Sequence, residues 1–196
     1  MRLEHSLIRL TQPDGRSVIT RNTTLADFCF AAARCCALRD QNYALRYCYV
    51  EYENVASPST PVVVPSVTAT NPDHARPYYD GLALSASKDY LRVPLTAAPT
   101  LAAAPSFAAY FSQRPGDGNI ALLQAQTAGT AGVYGRAFSD TANSRVYGIA
   151  IAAAPVPQDP TRDIVVLRAY YAAGQQQLKL ASGQIAISVE TPFGLS

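Results

Sequence analysis

Apolar and polar positions recur along this chain with two different periods. Leu25, Phe28, Cys29, Ala32, Ala33 and Cys36 follow the i, i+3, i+4, i+7, i+8, i+11 spacing of one face of an α-helix. Asn22-Thr23-Thr24 precedes this stripe, with Thr24 as the expected cap and Asp27 near the positive end of the helix dipole. Asp40-Gln41-Asn42 closes the element. Upstream, residues 3 to 10 and Ser17 to Arg21 read as two strands of a hairpin around Pro13-Asp14-Gly15, a turn signal. Downstream, Tyr43 to Asn54 is rich in aromatic and β-branched residues, and its two faces differ little. Such a strand is expected to be covered on both sides.

Residues 55 to 77 carry five prolines with several Ser and Thr, and Val62-Val63-Val64 lies between Pro61 and Pro65. Proline lacks the N–H that a central strand must donate, so this segment is expected to be extended, either an edge strand or an arm laid on a neighbour. From Tyr78 onward short strands alternate with Gly/Pro turns: Asp89 to Leu95, Ser106 to Gln113, Ile120 to Thr127, Val146 to Ala153, Ile164 to Tyr171, Gln176 to Leu180 and Ile185 to Glu190. Gly129 to Gly135 reads as a bend and Ala172-Ala173-Gly174 as a hairpin loop. No internal repeat is visible. The fold class that follows is mainly β, α+β by count. It is an antiparallel β-sandwich or barrel-like domain with one N-terminal amphipathic helix and a Pro-rich extended segment. Residues 1 to 54 and 78 to 196 read as one continuous domain, with 55 to 77 as arm or linker.

Composition narrows the classes of partner. Of 196 residues, 48% are apolar and 15% charged, against roughly 25% charged in ordinary globular chains. So thin a charge is explained equally by a large core of small residues or by surface covered by other subunits. The net charge is +2, and the cations are scattered, which argues against a nucleic-acid stripe. Fourteen of the sixteen cations are Arg, a residue suited to interfaces and carboxylate pairing. No apolar run reaches membrane-span length, and Met1 to Leu10 has no apolar signal region, so synthesis in the cytoplasm and a soluble chain are expected.

Patterns that carry chemistry are sparse. His5 and His74 are the two histidines, and Ser85 lacks the G-x-S-x-G elbow. Cys29, Cys35, Cys36 and Cys48 lack the spaced pairs of a zinc site; Cys29 and Cys36 lie on the apolar stripe and are expected to pack as inert thiols. A bridge between subunits through Cys35 would need that side exposed. Asp159 to Asp163 reads as a turn with Asx capping before a carboxylate metal site. Gly129 to Gly135 lacks the Lys of a phosphate loop. Glu51 and Glu53 share one strand face, as a solvated edge or as partners for Arg. No catalytic residue, metal ligand or cofactor site is assigned.

The aromatic residues are more suggestive. There are twelve Tyr, six Phe and no Trp. Tyr43, Tyr47, Tyr49 and Tyr52 cluster on one strand, and Tyr78-Tyr79 and Tyr170-Tyr171 are pairs. Tyr suits interfaces, because its ring buries while its hydroxyl finds a partner, and it also stacks on sugars. The interface candidates are Tyr78, Tyr79, Val62, Val63, Val64, Tyr170 and Tyr171.

Residues 22 to 54 pair a short Ala-rich helix with a strand (NTTLADFCFAAARCC followed by YALRYCYVEYEN). Residues 78 to 193 contain YYDGLALSASKDYLRVPL, FSDTANSRVYGIAIAAAP and SGQIAISVETPF. In these segments the chain resembles virion structural proteins of tailed bacteriophages, of the tail-fibre, collar, neck or decoration type. The resemblance implies an assembly subunit located in the virion and made in the host cytoplasm. Its partners would be further copies of itself and other virion proteins, with no nucleic acid and no membrane, and it would have no catalytic residues. The Pro-rich arm could then add to a neighbour's surface. A ring of copies could cover Val93 to Gly135, where only Arg114 and Asp117 are charged. Two alternatives stand beside this. One is a carbohydrate- or receptor-binding β-sandwich module for a host-surface glycan. The other is a hydrolase using a carboxylate pair, His5 or His74.

Overall fold

Turn chemistry sets the first hairpin. β1 (Leu7–Thr11) and β2 (Ser17–Arg21) pair antiparallel, with Leu7 opposite Arg21 and Thr11 opposite Ser17. Gly15 takes φ +84°, a left-handed conformation that costs a residue without Cβ nothing. Alternation along β1 turns Ile8 and Leu10 into the core and leaves Leu7 and Arg9 outside. The computed structural model describes residues 7–11, 14–55, 57, 59–64, 66–70, 88–95, 100–102, 120–126, 143–179 and 186–192. The strand expected at Ser106 to Gln113, the bend at Gly129 to Gly135, and His5, His74, Ser85, Tyr78 and Tyr79 lie outside these residues.

The described strands form two antiparallel sheets. After the hairpin come β3 (Thr23–Thr24), the helix α1 (Asp27–Ala37), β4 (Leu45–Val55), β5 (Lys88–Pro94), β6 (Thr100–Ala102), β7 (Ile120–Gln126), β8 (Asn143–Ala153), β9 (Ile164–Tyr170), β10 (Gln177–Lys179) and β11 (Ala186–Pro192). The smaller sheet has the order β2-β1-β11-β7-β6, and the larger has β3-β9-β8-β4-β5 with β10 also on β8. Ile8, Leu10, Ile187 and Val189 of the smaller sheet pack in one cluster with Cys48, Val50, Ile149, Ile151 and Leu167 of the larger. Among the described residues this is sandwich-like packing, mostly β with one α-helix, and the sheets do not close into a barrel. Each buried Ile, Leu or Val contributes about 1.5–3 kcal/mol relative to exposure, so this shared face dominates the fold's stability.

β4 is buried on both faces, as its even composition led one to expect. Cys48, Val50 and Tyr52 belong to the inter-sheet core, while Tyr49 packs on the opposite side with Leu25, Tyr90, Ala150, Ala152 and Val165. The register irregularity here lies in β8: Glu51 pairs with Gly148 and Tyr52 with Val146, so Tyr147 is the extra residue and Val146 joins Ile149 and Ile151 on the core face.

Three local expectations are corrected. Thr24 does not cap the helix. It pairs with Leu167 as part of β3, and Leu25 N–H donates to Val166, so the sheet edge holds the backbone extended until α1 begins at Asp27 without a side-chain cap. Ala172-Ala173-Gly174 is not a hairpin loop. β9 and β10 run in the same direction along one edge of β8, and the 3-10 turn Ala173–Gln175 is an excursion between them. Third, the buried face of α1 contains Phe28 and Ala31, with Ala32 also packed on the core and Cys35 half-buried, while Cys29, Ala33 and Cys36 are exposed. α1 is apolar nearly all round (DFCFAAARCCA), so periodicity alone could not choose which arc faces β9.

Candidate functional site

The outer face of the larger sheet carries charge in a place strands rarely allow it. Arg92 on β5 lies opposite Tyr49 on β4, and Ala150 on β8 lies opposite both Tyr49 and Arg168 of β9. Both Arg92 and Arg168 are 0% exposed. A buried cation survives only when paired. Arg92 grips Asp163 with two hydrogen bonds, Nε to Oδ2 at 2.6 Å and Nη2 to Oδ1 at 2.9 Å, and donates a third to the Pro157 carbonyl. Its guanidinium lies 3.3 Å from the Tyr47 ring centroid, and the Tyr49 hydroxyl donates to Asp163 at 2.6 Å. Burial opposes the charge on Arg92, but the hydrogen bonds and charge of Asp163 outweigh it and hold its pKa up. Burial first, and then the bond to Asp163, push the Tyr49 phenol well above its ordinary range. Arg168 donates to Glu51 at 2.8 Å. Every one of these groups is locked against a protein partner, so the network reads as a brace for the sheet.

The described residues of the Pro-rich segment, among them 59–64 and 66–70, lie over this face. Val62 packs with Val55 and Tyr147, Val64 packs at the same cluster, and Val67 packs against the cluster that contains Tyr49 and Ala150. The amide of Gln176 acts as a surrogate strand: Oε1 accepts from Val62 N–H at 2.8 Å, and Nε2 donates to Val62 C=O at 2.7 Å. Farther on, Ala26 N–H donates to Ala69 C=O. Beside the segment is a cavity of about 370 Å³ whose lining includes Arg21, Thr23, Ser66, Val67 and Tyr170.

A second surface stands out on α1. Cys29, Ala33 and Cys36 form one exposed line at i, i+4, i+7, with Ala37 beside it. Phe30 is 49% exposed and Leu38 63%. One border of this patch is fixed: Tyr43 meets Phe30 edge-on with ring centroids 5.5 Å apart, and Arg34 lies over Tyr43 while donating to Asp40 at 2.9 Å. α1 therefore has two apolar arcs, one on the sheet and one facing outward.

The structure separates the interface candidates chosen from sequence. Tyr171 is wholly buried in the chain's own core and Val62 is nearly so, which leaves their side chains no surface to offer in this conformation. Tyr170 and Val64 are half-buried in the cluster around Val62, and Val63 is 85% exposed. Tyr78 and Tyr79 lie outside the described residues. The expectation that Cys29 and Cys36 pack inertly is overturned by the rotation of α1; Cys48 is the buried thiol among the four. Asp159 caps its turn as read, accepting from the Thr161 N–H and hydroxyl. Of the acidic pair, Glu51 is buried against Arg168 and Glu53 is half-buried. Sequence reading passed over Arg92, Arg168 and Gln176, and it assigned Asp163 to the turn that begins at Asp159, whereas its carboxylate is bound by Arg92 and Tyr49. One signal was present: an arginine inside the apolar run IVVLRAY must find a buried acid.

No helix among the described residues is long and apolar enough to cross a membrane. Comparison with known protein families, curated proteins and solved structures returned no match.

Proposed function

We propose that this chain is a structural subunit that works by protein–protein contact, assembling with copies of itself and with other proteins, and that it turns over no substrate. The observation that carries this is the outward arc of α1, where Cys29, Phe30, Ala33, Cys36 and Ala37 are exposed together on a helix whose other arc is already packed. An apolar patch of this kind on a chain with so little charge is the mark of an interaction surface. The setting proposed is a phage virion, in its tail, neck, fibre attachment or capsid decoration. That part rests on the resemblance of residues 22 to 54 and 78 to 193. The test is light scattering after size exclusion, with reductant present. A discrete assembly larger than the 20.9 kDa chain supports the reading; a single-chain mass across a wide concentration range counts against self-assembly.

A glycan-binding role is favoured by one feature, the cavity beside Tyr170. Arg21 with the hydroxyls of Thr23 and Ser66 would suit a hydroxylated or acidic sugar, and Tyr170 offers an aromatic wall. Binding on a glycan array that is lost in Arg21→Ala would shift weight to this role.

A further inference from the structure

We propose that the cavity beside the Pro-rich segment binds a single carboxylated sugar unit, of the uronate or sialate class, with the sugar's carboxylate on Arg21. This rests on the glycan-binding role named second above and gives that role its ligand class. It is independent of the assembly surface on α1.

Three elements build the cavity, which measures about 370 Å³. Arg168 and Tyr170 of β9 are alternate residues of one strand and share a sheet face. Arg21 and Thr23 add a wall at the passage from β2 to β3. Asn22 between them is buried and outside the lining, so Arg21 and Thr23 both face the cavity. Pairing of Thr23 with Arg168 fixes this wall against β9. Val64, Ser66 and Val67 of the Pro-rich segment supply the remaining side. That segment is tied on both flanks of the cavity, by the Gln176 amide at Val62 and by the Ala26–Ala69 hydrogen bond. Walls held in place before a ligand arrives cost less to order when it binds. The volume lies near the small end of the ~300–1,000 Å³ usual for ligand sites, which suits one sugar unit.

Charge then selects among sugars. Arg21 and Arg168 are the charged residues of the lining. Arg168 is neutralised by Glu51, to which it donates at 2.8 Å. Arg21 is exposed and enters none of the ion pairs among the described residues. The site therefore offers one net positive charge. One charge matches one carboxylate, whereas a phosphate monoester brings about −1.5 to −2. The planar guanidinium fork also fits the two oxygens of a carboxylate. The hydroxyls of Thr23 and Ser66 can each donate to or accept from ring hydroxyls. Tyr170 is half-buried and braced by Tyr147, with ring centroids 5.9 Å apart, and its open part gives an apolar wall for the sugar's C–H groups.

The experiment titrates the full chain by saturation-transfer NMR at ~0.15 M salt, where diffuse attraction between exposed charges is screened. The probes are methyl β-glucuronide, N-acetylneuraminic acid, the neutral methyl β-glucoside, glucose 6-sulfate and glucose 6-phosphate. At least one of the two carboxylated sugars is expected to bind about tenfold or more tighter than the glucoside. Arg21→Ala is expected to weaken that binding about tenfold or more, the scale of a lost hydrogen bond to a charged group. Arg9→Ala removes an exposed arginine outside the lining and is expected to leave the binding unchanged. Both side chains are exposed, and far-UV ellipticity confirms that each variant is folded. Glucoside bound as tightly as both acids overturns the carboxylate assignment and leaves the glycan role standing. Tighter binding of the sulfated or phosphorylated sugar than of either acid also overturns that assignment. An acid bound equally by the wild type and Arg21→Ala overturns the site. No saturable binding of any probe overturns the inference; a glycan-array signal from the same protein then leaves the glycan role standing, and a blank array removes that role as well.

Discussion

Glu51 and Arg168 meet at 2.8 Å although a whole strand runs between them. Glu51 is on β4, Arg168 on β9, and β8 separates the two, so the pair spans roughly two strand spacings of ~4.8 Å each. The crossing is possible because β8 presents Gly148 and Ala150 at the intervening positions, Gly148 opposite both Glu51 and Tyr170. Removing one member leaves the other buried without this partner. Arg168→Met is therefore expected to cost about 3–5 kcal/mol, and Glu51→Leu with Arg168→Met together should recover most of that loss. Urea unfolding of the four chains of the cycle reads the coupling directly; additive costs would contradict the pairing.

Gly148 is the position on which that crossing depends. A Cβ there would fall 2.5 Å from Glu51 Oε2 and 2.8 Å from the Tyr170 ring. Neither neighbour yields easily, since the carboxylate is held by Arg168 and the ring packs against Tyr147. Gly148→Ala should lower stability by about 1–3 kcal/mol, the usual cost of overpacking a filled site. An unchanged urea midpoint would show that Glu51 can move aside.

Gln176 governs the Pro-rich cover. Gln176→Ala removes both hydrogen bonds to Val62 and a third to the Tyr171 carbonyl. With each bond contributing about 0.5–1.5 kcal/mol net, the Val62 amide should exchange with deuterium roughly tenfold faster or more. Amides in the middle of β8 should keep their protection. Equal acceleration in β8 would mean that the cover and the sheet unfold as one unit.

These three relationships mark where sequence reading ends. The hairpin around Gly15, the strands β4, β8, β9 and β11 and the existence of α1 follow from local periodicity and turn chemistry. The orientation of α1 does not, because DFCFAAARCCA offers an apolar residue on almost every bearing. Nor do the partners of the buried arginines: Asp163 is 71 residues from Arg92, and Glu51 is 117 from Arg168. Asp163 follows directly on a short turn that its own neighbours explain. The Gln176–Val62 clasp joins an unremarkable amide to a Pro-rich stretch 114 residues earlier. Each is a tertiary choice made by the sheet register, which no window of sequence contains.

Alkali should expose the buried phenols as a group. Burial raises the pKa values of Tyr49 and Tyr171 above the ordinary 10.0, and in Tyr49 the bond to Asp163 adds to it. The folded chain therefore holds these protons where the unfolded chain releases them. Their contribution to stability is complete below pH ~10 and is lost as the pH rises beyond it. Tyrosinate absorbance should show a late cooperative step that coincides with loss of far-UV ellipticity. Smooth ionisation of every tyrosine near pH ~10, with the fold intact, would contradict the burial of these two rings.

The central claim is that the outward arc of α1 is an assembly surface, and Phe30 tests it most directly. Phe30 is 49% exposed and touches Tyr43 at the patch border, so Phe30→Asp places a charge on the arc without opening the core. Sedimentation equilibrium of the wild type and of Phe30→Asp, both reduced, is the measurement. The expected result is a wild-type mass of two or more chains and a variant at the 20.9 kDa of one that keeps the far-UV ellipticity of the folded chain. Equal masses for the two proteins would contradict the claim.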